Sequence, residues 1–178
     1  MPDTKQMQDI LALARQSIAN RFNGPAPVVP SDPLYKEKRG VFVSLHKKGE
    51  LRGCIGYIKG YKALGDSIIE MAQAAAFRDP RFPALRADEL EQIKLEISIL
   101  GELIPIKGTD AIEIGRDGLF IDHPQGSGLL LPQVATEWQW TAPVFMEQVC
   151  RKAGLSRTAW MDEEARLYRF EAAVFSED

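Results

Sequence analysis

The chain has 178 residues, 45% of them hydrophobic and 26% charged, with a net charge of −3 and two cysteines. That length makes one ordinary domain, at most two closely packed lobes around a sizeable core, and the balance excludes intrinsic disorder. No window approaches the roughly 18 apolar residues of a membrane span. The acidic balance argues against general nucleic-acid binding.

Residues Met1-Pro2-Asp3-Thr4-Lys5-Gln6 carry no basic-then-apolar leader pattern, so a cytoplasmic location with free, reduced thiols is expected. Cys54, Cys150, His46 and His123 are the only cysteines and histidines. No pair of them has the short spacing of a zinc site, so the sequence points to neither a metal nor a cofactor.

Met7, Ile10, Leu11, Ala14 and Ile18 recur at helical spacing, and the helix they predict stops near Asn23-Gly24. Pro25, Pro27, Pro30 and Pro33 then impose an extended connection along the surface. Val41 to His46 and Leu51 to Ile58 read as a hairpin around Lys47-Lys48-Gly49-Glu50. An unshifted register sets Val43 opposite Cys54 and Leu45 opposite Arg52. A bulge would instead set Ser44 against Cys54 and His46 against Arg52, because a one-residue slip exchanges the faces of a strand. The unshifted register is preferred, which leaves His46 off the Cys54 face.

A second helix is expected from about Ala63 to Phe77, with Leu64, Ile68, Met71, Ala72 and Ala75 on one stripe. Arg78-Asp79-Pro80-Arg81-Phe82-Pro83 follows as a loop whose prolines place Asp79 and Arg81 near one another. Asp88 to Gln92 reads as a short helix, and Leu95, Ile97 and Ile99 alternate as a strand. Two strands flank the turn at His123-Pro124-Gln125-Gly126-Ser127, where His123 is expected on the surface. Pro132 opens a short helix, Thr141 caps another that ends at Gly154, and Cys150 lies beside its apolar stripe. Leu167 to Phe175 reads as a closing strand. Trp138, Trp140 and Trp160 are expected as core or rim anchors.

The most informative stretch is Leu51-Arg52-Gly53-Cys54-Ile55-Gly56. Two glycines inside a strand mark a bulge or a close approach by another backbone or a ligand. With the strand extended, Arg52 and Cys54 share a face, and a neighbouring cation favours the reactive thiolate. The alternative is that Cys54 is a small buried hydrophobe. Between Tyr35 and Lys62 eight basic residues (Lys36, Lys38, Arg39, Lys47, Lys48, Arg52, Lys59, Lys62) meet only Glu37 and Glu50, a local balance of +6. Such a patch can recruit small anions or, weakly, a nucleic acid, or it can guard a strand edge.

The hexapeptide resembles the signature of the AMMECR domain family, whose prokaryotic members are called AmmeMemoRadiSam system protein A. Asp79-Pro80-Arg81-Phe82-Pro83, Leu129-Leu130-Leu131-Pro132-Gln133-Val134-Ala135 and Cys150-Arg151-Lys152-Ala153-Gly154-Leu155 fall in the family's order and spacing. The resemblance covers about Ile10 to Phe175. It implies a larger sheet-and-helix lobe built from both chain ends, with a smaller lobe inserted loosely within residues 80–135. It also implies association with a Memo-type protein and a radical-SAM enzyme.

Irregular interleaving of helices with antiparallel hairpins independently points to an α+β fold. Two functions are in view. One is a partner- or ligand-binding component in which Arg52, Gly53, Gly56, Asp79 and Arg81 line a cleft for an acidic partner or small anion. The other is an enzyme using Cys54 as nucleophile or redox thiol. On the first reading Arg52→Lys should leave folding nearly unchanged.

Overall fold

Asp3 and Gln6 exchange hydrogen bonds in a capping box that opens helix α1, Thr4–Asn20, in the computed structural model, which describes residues 1–178. The apolar stripe of α1 is the one the periodicity marks: Ile10, Leu11, Ala14 and Ile18 are buried. A single 3₁₀ turn, Pro33–Lys36, then leads into strands β1, Val41–Lys47, and β2, Glu50–Tyr57. Helix α2, Leu64–Phe77, packs on both strands and buries Leu64, Ile68, Met71, Ala72 and Ala75. A second 3₁₀ segment, Ala87–Gln92, precedes strand β3, Ile93–Leu100, which pairs antiparallel with β1.

These elements make the first of two units, Met1–Leu100 with Ala173–Asp178. Its core joins Val41, Val43 and Leu45 of β1 to Leu95, Ile97 and Ile99 of β3 and to the buried faces of α1 and α2. The chain's last residues are tied into it. Glu177 accepts two hydrogen bonds from Arg15, each 2.7 Å, and one from the Leu95 amide at 3.1 Å.

The second unit is Gly101–Ala172. Strand β5, Asp117–His123, pairs antiparallel with β6, Gly126–Leu130, and with β7, Arg166–Ser176, whose other edge takes the short β4, Ile104–Ile106. Helices α3, Pro132–Glu137, and α4, Ala142–Lys152, cover one face, where Leu119, Ile121, Phe145 and Val149 form a separate core. The strand pairings within each unit are antiparallel, and with four α-helices the fold is α+β.

β3 is hydrogen-bonded along its length to β1, which holds residues 93–100 in the first unit, while α4 packs on β5 and β6 and carries the second unit on to residue 172. β7 runs from the second unit into the first. No helix is long and apolar enough to cross a membrane.

Two local expectations are corrected. His123 is buried at the end of β5, held by Asp162 at 2.9 Å, rather than exposed in a turn. Trp138 is 68% exposed and stacks on Trp140 with ring centroids 6.2 Å apart, so it is neither core nor rim.

The Cys54 strand as candidate functional site

The β1–β2 hairpin turns on Lys48 and Gly49, both with positive φ (53° and 80°), the two-residue geometry that matches strand twist. Lys47 faces Glu50 and His46 faces Leu51, but Leu45 then faces Gly53, so one extra residue is accommodated at Arg52. This bulge overturns the preferred register: Ser44, not Val43, lies opposite Cys54.

The bulge also separates Arg52 from Cys54. Lys47 lies in the alternation of β1 that includes Val41, Val43 and Leu45, and Arg52 reaches the same carboxylate as Lys47, that of Glu89. Cys54 faces the other way, beside Ser44. The Arg52 side chain is 11% exposed, with Nε 3.0 Å and Nη2 3.2 Å from the two Glu89 oxygens. Lys47 Nζ lies 3.1 Å from Glu89 as well, and the Arg86 amide donates to it. Arg52 foremost holds the buried Glu89 carboxyl down at about 2. Arg52 is therefore a buried ion-pair member, contrary to its expected exposure, and Glu89, indistinguishable in sequence from Asp88 and Glu91, is the residue sequence reasoning missed.

Gly53 and Gly56 serve packing. A Cβ at Gly53 would fall 2.1 Å from the Ala75 carbonyl oxygen, so α2 lies backbone to backbone on the strand. The alanines of α2 make that approach possible. A Cβ at Gly56 would meet the Phe42 ring and the Val41 carbonyl oxygen, both at 2.4 Å.

Asp79 and Arg81 do come together. Asp79 is buried and accepts from Arg81 Nε and Nη2, at 3.1 and 2.8 Å, and from the Arg81 amide at 3.0 Å. It also accepts the Cys54 amide at 3.0 Å, while Arg81 Nη2 donates to the Cys54 carbonyl at 3.2 Å. The pair thus stands in for a neighbouring strand along the edge of β2, satisfying the groups that an exposed edge leaves open. The Arg81 hydrogen bond keeps the Asp79 carboxyl well below the carboxylate range. The Arg81 side chain is 55% exposed, and its Nη1 makes no hydrogen bond.

Cys54 is partly buried, and its sulfur accepts the Ser44 hydroxyl at 3.1 Å. Burial pushes the thiol's pKa up, with Ser44 and then Arg81 opposing. The sequence expected Arg52 to favour the thiolate. The bulge removes that cation, and no histidine or carboxylate hydrogen-bonds to the sulfur. Cys150 is fully buried in α4, and burial raises its pKa too. Iodoacetamide is expected to label native Cys54 before Cys150, slowly at neutral pH and faster as pH rises, since the thiolate reacts. Equal rates in a mass-spectrometric time course would refute the ranking.

Of the eight basic residues from Tyr35 to Lys62, Lys47 and Arg52 are paired with Glu89, Arg39 with Glu37 and Lys62 with Glu70. Half of the basic residues in the apparent patch are thus ion-paired. No three histidine, cysteine or acidic side chains converge in a way that could hold a metal ion.

The architecture and the sequence have clear relatives. The chain is 43% identical to a protein of Methanothermobacter thermautotrophicus, covering 95% of this chain and 93% of that one. It is 42% identical to protein MJ0810 of Methanocaldococcus jannaschii, covering 92% and 86%. The crystal structure of PH0010 from Pyrococcus horikoshii superposes with a TM-score of 0.86 at 36% identity, covering 95% of this chain and 90% of that one. The AMMECR1 family profile matches residues 11–175, spanning both units and the whole Cys54 strand, and the chain belongs to the AMMECR1 family.

Proposed function

We propose that the protein is a binding component of the AmmeMemoRadiSam system, acting in the cytoplasm with a Memo-type protein and a radical-SAM enzyme. Arg81 is its anion-reading group. The observation that carries this reading is the state of the polar groups around Cys54. Asp79 fixes the Arg81 guanidinium through two side-chain bonds and leaves Nη1 directed to no protein acceptor, while more than half the side chain is open to solvent. A held, exposed guanidinium with spare donors suits a carboxylate or phosphate. Arg52, committed to Glu89, does not take part.

A second reading, a thiol enzyme built on Cys54, is favoured by one observation: Cys54 is the less buried of the two cysteines and its sulfur accepts the Ser44 hydroxyl. Against it stand the raised pKa and the missing base. Nucleic-acid binding loses ground to the pairing of half the basic residues.

The test is calorimetric titration of the purified protein with the Memo-type protein and the radical-SAM enzyme of the same organism. Arg81→Ala is expected to weaken binding about thirtyfold, as for an interface arginine contributing about 2 kcal/mol. Arg81→Lys should recover part of it, and Cys54→Ser should bind as wild type. Unchanged binding by a folded Arg81→Ala variant would reject the assignment. Loss of binding only in Cys54→Ser would move the function to the thiol.

A further inference from the structure

The outer strand of each unit is finished in its own way. At β2 the open backbone groups of Cys54 are taken by Asp79 and Arg81. Strand β6 pairs with β5 on one side, and no hydrogen bond from any other backbone or side chain reaches residues 126–130 on the other. Proteins ordinarily guard such an edge with lysine, proline, an inward charge, a bulge or a covering segment. The strand Gly126-Ser127-Gly128-Leu129-Leu130 has no charge and no proline, and its register with β5 is unbroken over all five residues.

One face of β6 is sealed. A Cβ at Gly126 would fall 2.4 Å from the Ala153 carbonyl oxygen, and one at Gly128 would fall 2.8 Å from the Ala153 amide nitrogen. The glycines seat the end of α4 on the strand, and what remains unpaired is its outer line of amide and carbonyl groups. Ser127, on the other face, is exposed.

We propose that β6 pairs edge to edge with β6 of a second copy of this chain, antiparallel about a two-fold axis through Gly128. Gly128 is the middle residue of the five, so this axis pairs the whole strand. Gly126 then faces Leu130 of the other copy and Ser127 faces its Leu129, a small residue against a large one in every off-axis pair. No charge meets a like charge. A two-fold pairing of this kind is isologous and closes at two copies, which removes both open edges at once. An extended segment of a different protein could use the same backbone groups, but the self-complementary order of small and large side chains fits a second copy.

Light scattering coupled to size exclusion, run over a wide range of protein concentration, tests the pairing. The wild type is expected at the mass of a dimer. Ser127→Lys and Ser127→Glu each place two like charges diagonally across the two-fold, about 7–8 Å apart, and each should elute as a monomer with native circular dichroism. Mixing the two variants should restore a one-to-one dimer. Hydrogen exchange should show the outward amides of β6 protected in the wild type and in the mixture but not in either variant alone. A monomeric wild type would overturn the proposal, including one that dimerises only on adding another protein. So would single variants that stay dimeric, a mixture that stays monomeric, or a wild-type dimer whose β6 amides exchange freely.

Discussion

Gly53→Val is expected to cost about 3 kcal/mol of stability, at or beyond the upper end of ordinary overpacking. In a chain of this length that lowers the melting temperature by about 10 °C. The cause is specific. The new Cβ would sit 2.1 Å from the Ala75 carbonyl oxygen, a backbone atom that can retreat only if α2 lifts from β2. Trimming a side chain therefore cannot relieve it, and Gly53→Val with Ala75→Gly should melt no higher than Gly53→Val alone. Gly53→Ala should already show most of the loss. Gly49 supplies the contrast, because a Cβ there meets nothing within 4 Å and only its φ of +80° resists substitution. Gly49→Ala should cost no more than about 1–2 kcal/mol, the cost of the left-handed conformation for a residue with a Cβ. Thermal unfolding of the four variants decides the matter, and a Gly53→Val protein that melts with the wild type would refute the backbone-to-backbone contact.

How much of this was legible in the sequence depends on how local its cause is. The stripe of α2 could be read because a helix repeats its buried face every turn, and the residues so marked are those the structure buries. The hairpin around Lys47-Lys48-Gly49-Glu50 could be read because its glycine is local chemistry, though not the two-residue length of its turn. Asp79 and Arg81 sit on either side of Pro80, so their contact was also within reach. The bulge at Arg52 was not. Nothing in Leu51-Arg52 announces it, since it reflects tertiary demands: α2 lies on Gly53, and Glu89, 37 residues away from Arg52, accepts the guanidinium. That one displaced residue decides which side chains surround the thiol, so the strand was legible while its chemistry was not. Trp138 failed for a related reason, because a large aromatic at the end of a short helix carries no sign of which side that end will present.

Glu89→Gln is expected to be the most damaging single polar substitution in the first unit, at about 3–5 kcal/mol, because it leaves the Arg52 charge buried without its counter-charge. The carboxylate accepts from Arg52, Lys47 and the Arg86 amide, and Arg52 Nη1 is already buried without a partner, so no other acceptor stands ready. Arg52→Lys, which the sequence alone marked as nearly silent for folding, should destabilise as well, since an ammonium cannot span both Glu89 oxygens as the guanidinium does. The pH dependence follows from the direction of the shift. Glu89 ionises at about 2 in the folded protein against 4.5 ordinarily. Its contribution is complete above the ordinary value and is lost as pH falls from there through about 2, amounting to about 3 kcal/mol over that window. Asp79, also held below its ordinary value, adds stability lost in the same direction. Wild-type stability in urea should therefore fall steeply below about pH 4.5, and Glu89→Gln, less stable at neutral pH, should fall less steeply there, so that the two curves converge toward pH 2. Parallel curves would mean that Glu89 titrates alike in the folded and unfolded chains, and the buried Arg52–Glu89 pair would then have to be abandoned as the anchor of the bulge.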